Sequence, residues 1–433
     1  MTPAARISAA IEVLADLAAR RRPAADALKD WGLAHRFAGS GDRAAIAGLV
    51  YDTLRRRASS AHVMGGEEPR ALVLGMLAVM RGLGVEAIAA LADGSRFAPA
   101  PLSEAERARL ADPTLGGAPP FVRGDYPQWL HASLRHVFGE DVVAEGAALA
   151  ARAPLDLRVN TLKGEAEAVK AELAHLDPSP GRFSPLALRI VLDAEGKAPP
   201  VSSEPAFLRG EVEVQDEGSQ IAAILARPLP GTQVLDLCAG AGGKTLEFAA
   251  LMDNKGQIYA YDSDIRRLKP LHERIARAGV RNVQVRSPRG AEHVLADLEG
   301  KMDLVLVDAP CTGTGTWRRN PDAKWRVRPG ALAQRTAEQA KILEDAAHYV
   351  RPGGRLAYVT CSLLDEENGA QVRALLNKRE DFHPVPPSEN VLALGASGGP
   401  LAEAALTSRE GLLMTPRRTG TDGFFVSVLK RAG

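Results

Sequence analysis

Alternation of strand and helix patterns over residues 211–433 constrains this chain more than any other feature of its sequence. Short apolar runs with β character are separated by stretches with helical spacing, such as ILEDAAHYV. The runs read QVLDLC, QIYAYD, NVQVR, DLVLVDAP, RLAYVTC and FFVSVLK. Near-continuous apolar strands that alternate with helices are typical of a doubly wound, mostly parallel sheet covered on both faces. We therefore predict an α/β fold, with ligands bound beyond the carboxyl ends of its strands.

Two further regions precede this sheet. Residues 1–120 carry apolar positions at spacings of three and four and no alternation of period two, which predicts an all-α domain. Residues 121–210 begin with helices and continue with the strand patterns LDLRVNT and ALRIVL around a helix near Glu165–His175. We predict a small α+β module there. The Pro- and Gly-rich segment DPTLGGAPPF marks the linker between these two regions.

Cysteine usage and hydropathy limit where the chain works. Three cysteines are too few for a disulfide framework, so a reducing, cytoplasmic compartment is expected. Glu12 and Asp16 interrupt the first apolar run, which argues against a signal peptide. The longest apolar stretch, Ala71–Met80, is too short to span a membrane and predicts a buried helix. No feature requires an oligomer, so a monomer is the default expectation.

Basic residues are clustered, although the net charge is only +1. Each cluster either contacts the phosphates of a nucleic acid or forms an ordinary solvated face. The clusters are Arg20–Arg22, Arg55–Arg57, Arg266–Arg267 with Lys269, Arg318–Arg319 with Lys324 and Arg326, and Arg417–Arg418.

A glycine-rich turn follows the first strand of the predicted sheet, in VLDLCAGAGGKT. Its glycines let the backbone approach a ligand closely, and the helix that begins near Lys244 offers free N–H groups. Asp262 ends the next strand, where a carboxylate commonly binds ribose hydroxyls. The turn matches neither GxGxxG nor GxxxxGK[ST], so S-adenosylmethionine, which has a ribose but no phosphates, fits best. A plain strand-to-helix turn is the alternative interpretation.

All three cysteines follow strands of the predicted sheet. DLVLVDAPC brings Asp308 and Cys311 into a loop rich in Gly and Thr, and RLAYVTC ends the next strand with Cys361. Cys238 follows the first strand, and we interpret it as a small buried apolar residue. No CxxC pair exists and no histidine lies at ligand spacing, so we predict no metal site.

Thiols at such an edge suit one reaction of a pyrimidine. Carbon 5 of cytosine is a poor nucleophile, but a thiolate added to carbon 6 turns the ring into an enamine that can attack a methyl sulfonium. The thiol must first be made more acidic, and Lys244 and the basic loop after Cys311 are candidates for that influence. Asp308 is a candidate acid–base group for the pyrimidine, and Cys311 for the release step.

The motifs resemble the Nol–Nop–Sun family of RNA (cytosine-5) methyltransferases over nearly the whole chain. The resemblance is strongest to the bacterial branch that acts on small-subunit ribosomal RNA. It is carried by RVNTLK, EVQDEGSQ, VDAPCTGTGTWRRNPDAKW, YVTCSLLDEEN and TDGFF. It implies a Rossmann-like class I methyltransferase domain over residues 211–433, a NusB-like RNA-binding domain over residues 1–120, and RNA as the partner, 16S ribosomal RNA above all. Cys361 is the implied nucleophile and Cys311 the implied release residue, while Asp308 and Lys244 are implied to touch the target base.

The same resemblance implies an S-adenosylmethionine pocket. Its implied residues are Cys238, Ala239, Gly240, Ala241, Gly242, Gly243, Lys244, Asp262 and Asp308. The family usually reads CAAPGGKT, so Gly240 and Ala241 leave this turn less stiff, and we expect a less preorganised pocket. The family often carries an acid after the third strand, where this chain has Ser287, Pro288 and Arg289.

Other functions stay open. A methyltransferase for a protein or an exocyclic amine needs no thiol and typically has a polar–Pro–Pro–aromatic segment where this chain has DAPC. A transfer RNA (cytosine-5) methyltransferase uses the same chemistry, although a NusB-like domain favours ribosomal RNA. A non-catalytic RNA-binding assembly factor would result if the altered turn no longer held its cofactor. Trp317 and Trp325 are candidates either for stacking on a flipped base or for packing.

Overall fold

The computed structural model describes residues 1–192, 198–288 and 294–433, which form two compact units. Of the described residues, the first unit contains 1–152 and 317–328, and the second unit contains the remainder. No helix in the described ranges is both long and apolar enough to cross a membrane. The domain boundaries at residues 120 and 210 stay a prediction.

The first unit is helical, which confirms the prediction for the N-terminal region. Thr2 caps its first helix by accepting a hydrogen bond from the backbone N–H of Ala5 at 3.2 Å. Ile46, Met76 and Ile88 are fully buried where the apolar faces of the helices meet. Its α-helices are Pro3–Arg20, Ala24–Ala34, Ser40–Arg55, Arg57–Met64, Pro69–Val79, Val85–Leu91, Glu104–Ala111, Pro120–Arg123, His131–Phe138, Val142–Leu149 and Pro321–Arg326.

Several basic and aromatic residues considered for nucleic-acid contact are packed inside the first unit. Trp317 has no exposed surface, so the packing alternative holds for it, because a buried ring cannot stack on a base. The indole N–H of Trp325 donates to the Leu54 carbonyl at 2.7 Å. Lys324 is buried and donates to the Arg55 carbonyl at 3.1 Å, and burial lowers the pKa of Lys324 to about 7. These side chains stabilise the helical unit.

A small antiparallel sheet opens the second unit. It consists of β1 (Leu155–Val159), β2 (Ser179–Pro180), β3 (Ala187–Ile190) and β4 (Val212–Val214), in the order β2-β3-β1-β4. Leu157 and Val159 of the central strand are fully buried and pack with Leu188 and Val212. The helices that accompany it are Ala166–Glu172 and Pro205–Leu208.

The strands of the large sheet in the second unit are β5 (Gln233–Asp236), β6 (Gln257–Tyr261), β7 (Val283–Arg286), β8 (Met302–Asp308), β9 (Val350–Thr360), β10 (Phe382–Pro384), β11 (Leu406–Thr407), β12 (Leu412–Met414) and β13 (Phe424–Arg431). Their order in the sheet is β11-β12-β13-β9-β8-β5-β6-β7, with β10 beside β13. The sheet is parallel from β7 to β9, which confirms the α/β prediction, whereas β13 runs antiparallel to β9. The accompanying helices are Glu217–Ala226, Gly243–Leu251, Ile265–Ala278, Pro329–Tyr349, Gly369–Lys378, Pro387–Asn390, Gly398–Ala404 and Pro416–Thr419.

The carboxyl ends of β5, β8 and β9 lie side by side. Asp236 of β5 is in register with Leu306 of β8, and Asp308 of β8 is in register with Val359 of β9. Pairing continues beyond the strand end, because the N–H of Ala309 donates to the Val359 carbonyl at 2.8 Å. The loops that carry all three cysteines therefore leave the sheet from the same edge, as predicted.

Candidate active site

The glycine-rich turn after β5 is closed by two backbone N–H hydrogen bonds. The N–H of Gly240 donates to the Asp262 carboxylate at 3.0 Å, and the N–H of Gly242 donates to the Ala239 carbonyl at 2.8 Å. Gly242 has a φ of +86°, and a Cβ there would lie 2.1 Å from a methyl group of Leu271. Only glycine fits this position, which directly precedes the helix Gly243–Leu251.

Asp262, predicted to bind ribose, holds the turn in this structure. Its side chain is 2% exposed. Besides Gly240, it accepts a hydrogen bond from the N–H of Asp264 at 2.9 Å and pairs with Arg267 at 3.0 Å. The carboxylate is thus placed next to the turn, and its contact with a ribose stays a prediction.

Arg274 links the same turn to β4. One guanidinium nitrogen donates to the Ala241 carbonyl at 2.7 Å, and another pairs with Glu213 at 3.0 Å. Arg277 also pairs with Glu213 but, within the part of the chain that the structure describes, makes no hydrogen bond to the turn. The sequence does not predict a role for Arg274, because an arginine within a helix carries no sign of its distant partner.

Asp236 lies at the end of β5 under the turn. One carboxylate oxygen accepts a hydrogen bond from the Thr245 hydroxyl at 2.7 Å. The other oxygen is buried and has no hydrogen-bond partner among the residues that the structure describes. Burial raises the pKa of Asp236 to about 7.

Lys244 and Asp308 form a pair at the centre of the site. The Lys244 ammonium lies 2.7 Å from a carboxylate oxygen of Asp308 and 5.1 Å from the centre of the Phe424 ring. Burial disfavours this ammonium, but the Asp308 carboxylate outweighs burial and the pKa of Lys244 is raised. An ionised Cys361 adds to that rise, so Lys244 and the Cys361 sulfur are electrostatically coupled.

Cys311 and Cys361, predicted on neighbouring strand ends, meet directly. Their sulfur atoms lie 3.3 Å apart. The hydrogen bond to the Cys361 sulfur, burial, and the charges of Cys361 and Glu367 raise the pKa of Cys311 well above its ordinary value. Cys311 therefore keeps its proton at neutral pH, next to the Cys361 sulfur. Burial raises the pKa of Cys238 as well, although its side chain is only partly buried. Its interpretation as a small apolar residue stays a prediction.

Glu367 and Gln339 complete this arrangement. Glu367 accepts a hydrogen bond from the N–H of Thr312 at 2.8 Å and one from the Gln339 amide at 3.0 Å. The Gln339 amide also donates to the Pro310 carbonyl at 2.9 Å. The sequence does not predict a role for Glu367 or for Gln339. Glu367 stands in the acidic run DEEN, where nothing distinguishes it from its neighbours.

Two further expectations concern the missing acid after β7 and the absence of a metal site. Ser287 and Pro288 follow β7 where an acid was expected, whereas Arg289 lies outside the described residues. Among the residues that the structure describes, no cluster of three or more His, Cys, Asp or Glu side chains could hold a metal ion.

Comparisons with known proteins identify ribosomal RNA methyltransferases as similar to this chain. A family model described as 16S rRNA methyltransferase RsmB/F matches residues 223–430, and a model for the ferredoxin-like domain of RsmF/B-like methyltransferases matches residues 126–194. Ribosomal RNA small subunit methyltransferase B of Xanthomonas campestris pv. campestris is 35% identical over 316 residues, which are 71% of this chain and 67% of that protein. Ribosomal RNA small subunit methyltransferase F of Cronobacter sakazakii is 36% identical over 281 residues, which are 64% of this chain and 56% of that protein.

Solved structures resemble the chain as well. The crystal structure of PH0851 matches with a TM-score of 0.72 and 28% identity over 100% of this chain and 99% of that chain. A methyltransferase homologue from Pyrococcus horikoshii matches with a TM-score of 0.58 and 25% identity over 72% of this chain and 97% of that chain. The second likeness agrees with a Rossmann-like methyltransferase sheet.

Proposed function

The chain belongs to the RsmB/F family of 16S rRNA methyltransferases, and from that membership we propose that it transfers a methyl group to carbon 5 of a cytosine in ribosomal RNA. The observation that carries the proposal is the 3.3 Å separation of the Cys311 and Cys361 sulfur atoms. Two thiols in contact, beside a buried lysine, supply both a nucleophile and a group for its release. A methyltransferase acting on an amine has no use for either.

The turn after β5 fits S-adenosylmethionine as the methyl donor. Nothing lies within 4 Å of the position that a Cβ of Gly243 would take, so a ligand can approach the backbone there. The unpartnered oxygen of Asp236 and the first N–H groups of helix Gly243–Leu251 add polar atoms to the same turn. When bound there, S-adenosylmethionine would supply the methyl group of its sulfonium to carbon 5, and it would leave as the neutral thioether.

Cys361 is the nucleophile in this proposal because Lys244 is coupled to it. An ionised Cys361 helps to raise the pKa of Lys244, so the ammonium attracts the thiolate. The thiolate forms a bond to carbon 6, and the electron pair of the 5,6 double bond becomes available at carbon 5. The Asp308 carboxylate, held by Lys244, accepts a hydrogen bond from the exocyclic amine of the cytosine.

Cys311 acts later, as the base that releases the product. The pKa of Cys311 is raised with the hydrogen bond to Cys361 as its largest cause, so Cys311 keeps its proton until Cys361 has reacted. Bonding of Cys361 to carbon 6 removes that largest cause, and Cys311 then loses its proton to water more readily. The Cys311 thiolate takes the proton from carbon 5, and the electrons of that C–H bond restore the 5,6 double bond. The bond between carbon 6 and sulfur breaks, and its electron pair returns to Cys361.

The proposal is tested by incubating the wild type and Cys311→Ala with small-subunit ribosomal RNA and radiolabelled S-adenosylmethionine. Label in 5-methylcytosine is expected from the wild type, and a protein–RNA adduct that survives a denaturing gel is expected from the variant. The double variant Cys311→Ala/Cys361→Ala is the control and should form no adduct. Absence of both label and adduct would contradict ribosomal RNA as substrate and direct the test to transfer RNA. Failure to bind S-adenosylmethionine would favour an assembly factor.

A further inference from the structure

Glu367 carries a fully buried carboxylate beside both cysteine loops. It accepts hydrogen bonds from four donors. The donors are the N–H of Thr312 at 2.8 Å, the Gln339 amide at 3.0 Å, and the hydroxyl groups of Thr312 and Ser362. A buried carboxylate is costly unless it is hydrogen-bonded, and four donors offset that cost. The side chain is therefore held in one position.

Two of the donating residues directly follow the reactive cysteines. Thr312 comes after Cys311, and Ser362 comes after Cys361. One carboxylate thus bonds to both loops at the residue next to each sulfur-bearing side chain. Hydrogen bonds from Gly315 to Cys361 and from Leu363 to Thr314 also join the two loops, but they attach at least three residues beyond Cys311. Glu367 is therefore the link that lies next to the Cys311 side chain.

The two loops differ in how much other support they have. Cys361 directly follows Thr360, the last residue of β9, which is paired with a strand on each side. Cys311 lies further from its strand, since β8 ends at Asp308. Loss of the carboxylate would therefore displace Cys311 more than Cys361.

We propose that Glu367 is a positioning residue that sets the distance between the Cys311 and Cys361 sulfur atoms and thereby controls release of the methylated RNA. The inference rests on the proposed covalent function. Glu367 acts through Thr312 and Ser362, which carry its hydrogen bonds to the two loops. Bond formation by Cys361 requires only the Cys361 loop, which directly follows β9. Release requires both sulfur atoms to be correctly placed relative to the cytosine.

The test follows one turnover of the enzyme with labelled RNA and separates formation of the gel-stable adduct from its decay. In Glu367→Ala we expect decay of the adduct to slow by about 10-fold to 100-fold, as for a reacting group displaced by about 1 Å, with adduct formation much less affected. Glu367→Gln should restore release, because the Thr312 and Ser362 hydroxyls can rotate and accept from the new amide.

Glu217→Ala is the matched control. Glu217 is also a fully buried carboxylate of the second unit and accepts backbone hydrogen bonds from Phe183 at 2.6 Å and Ser184 at 3.0 Å. Its loss should lower the melting temperature without accumulation of adduct. If Glu367→Ala does not fold, Thr312→Val removes one donor and should slow release in the same direction.

The outcomes are distinguishable. No adduct from Cys311→Ala would contradict the proposed function itself. An adduct from Cys311→Ala, together with wild-type release in folded Glu367→Ala or in Thr312→Val, would overturn the role of Glu367. Slow release in Glu217→Ala as well would also overturn it, because general destabilisation would then account for the effect.

Discussion

Lys244 and Asp308 form an ion pair with a separation of 2.7 Å, although the lysine comes from the helix after β5 and the aspartate from the end of β8. The lysine side chain is 6% exposed and the aspartate side chain 35%. The ammonium is therefore inaccessible to solvent while the carboxylate stays open to a ligand. The buried Lys244 ammonium thus holds the accessible Asp308 carboxylate in one orientation.

Replacement of this lysine tests its influence on the nucleophile. Lys244→Met keeps the length of the side chain and removes the charge that attracts the Cys361 thiolate. We expect single-turnover methylation to fall by about 100-fold near neutral pH and its pH profile to move to higher pH. The exposed Lys255, paired with Asp253, provides the control Lys255→Met. An unshifted profile in Lys244→Met would contradict the electrostatic role.

Cys361→Ala should abolish methylation. The alanine cannot bond to carbon 6, so carbon 5 is never activated. S-adenosylmethionine binding, measured by calorimetry, should be unchanged, because the turn after β5 does not depend on this side chain. Full turnover by the variant would show that Cys361 is not the nucleophile.

Arg274 offers a test of the glycine-rich turn. Arg274→Ala removes the hydrogen bond to the Ala241 carbonyl and should raise the KM for S-adenosylmethionine by about 10-fold with little change in kcat. Adding Ala241→Pro to Arg274→Ala should restore the affinity for S-adenosylmethionine, because proline restricts the backbone of the turn before the ligand binds. Arg277→Ala also loses a contact with Glu213 and is the control. Equal effects of the two arginine variants would contradict a role in the turn.

Glu247 should make stability depend on pH. Its side chain is fully buried, and burial raises its pKa from 4.5 to about 7. Its protonated form is thus favoured by folding, so its contribution to stability is complete below pH 4.5 and is lost as the pH rises through 7. In Glu247→Gln this loss, about 3 kcal/mol in the free energy of unfolding, should be absent. Denaturant titrations of both proteins over that range measure it, and parallel curves would contradict the shift.

The sequence predicted those parts of the site that follow from strand order. Apolar runs identify β5, β8 and β9, and a parallel sheet brings their carboxyl ends together, so the placement of Cys311 and Cys361 could be anticipated. The same reasoning located Lys244 and Asp308, whose pairing the structure adds.

Residues that act through distant contacts could not be found in this way. Glu367 follows two other acids, and only its burial against Thr312 distinguishes it from Asp365 and Glu366. Arg274 is one of several arginines on its helix, and its bond to Ala241 depends on how that helix packs. Periodicity describes which face of an element is apolar, but it carries no information about the partner of a single polar side chain.

The segment Trp317–Arg328 belongs to the helical unit, while the chain on both sides of it belongs to the unit with the large sheet. Genes often exchange whole domains by recombination, and such an exchange succeeds when each domain carries its complete core. Here the large-sheet unit transferred without residues 1–152 would take Lys324 and Trp325 along and leave behind Arg55 and Leu54, whose carbonyls accept their hydrogen bonds. The two halves are therefore expected to have been inherited together.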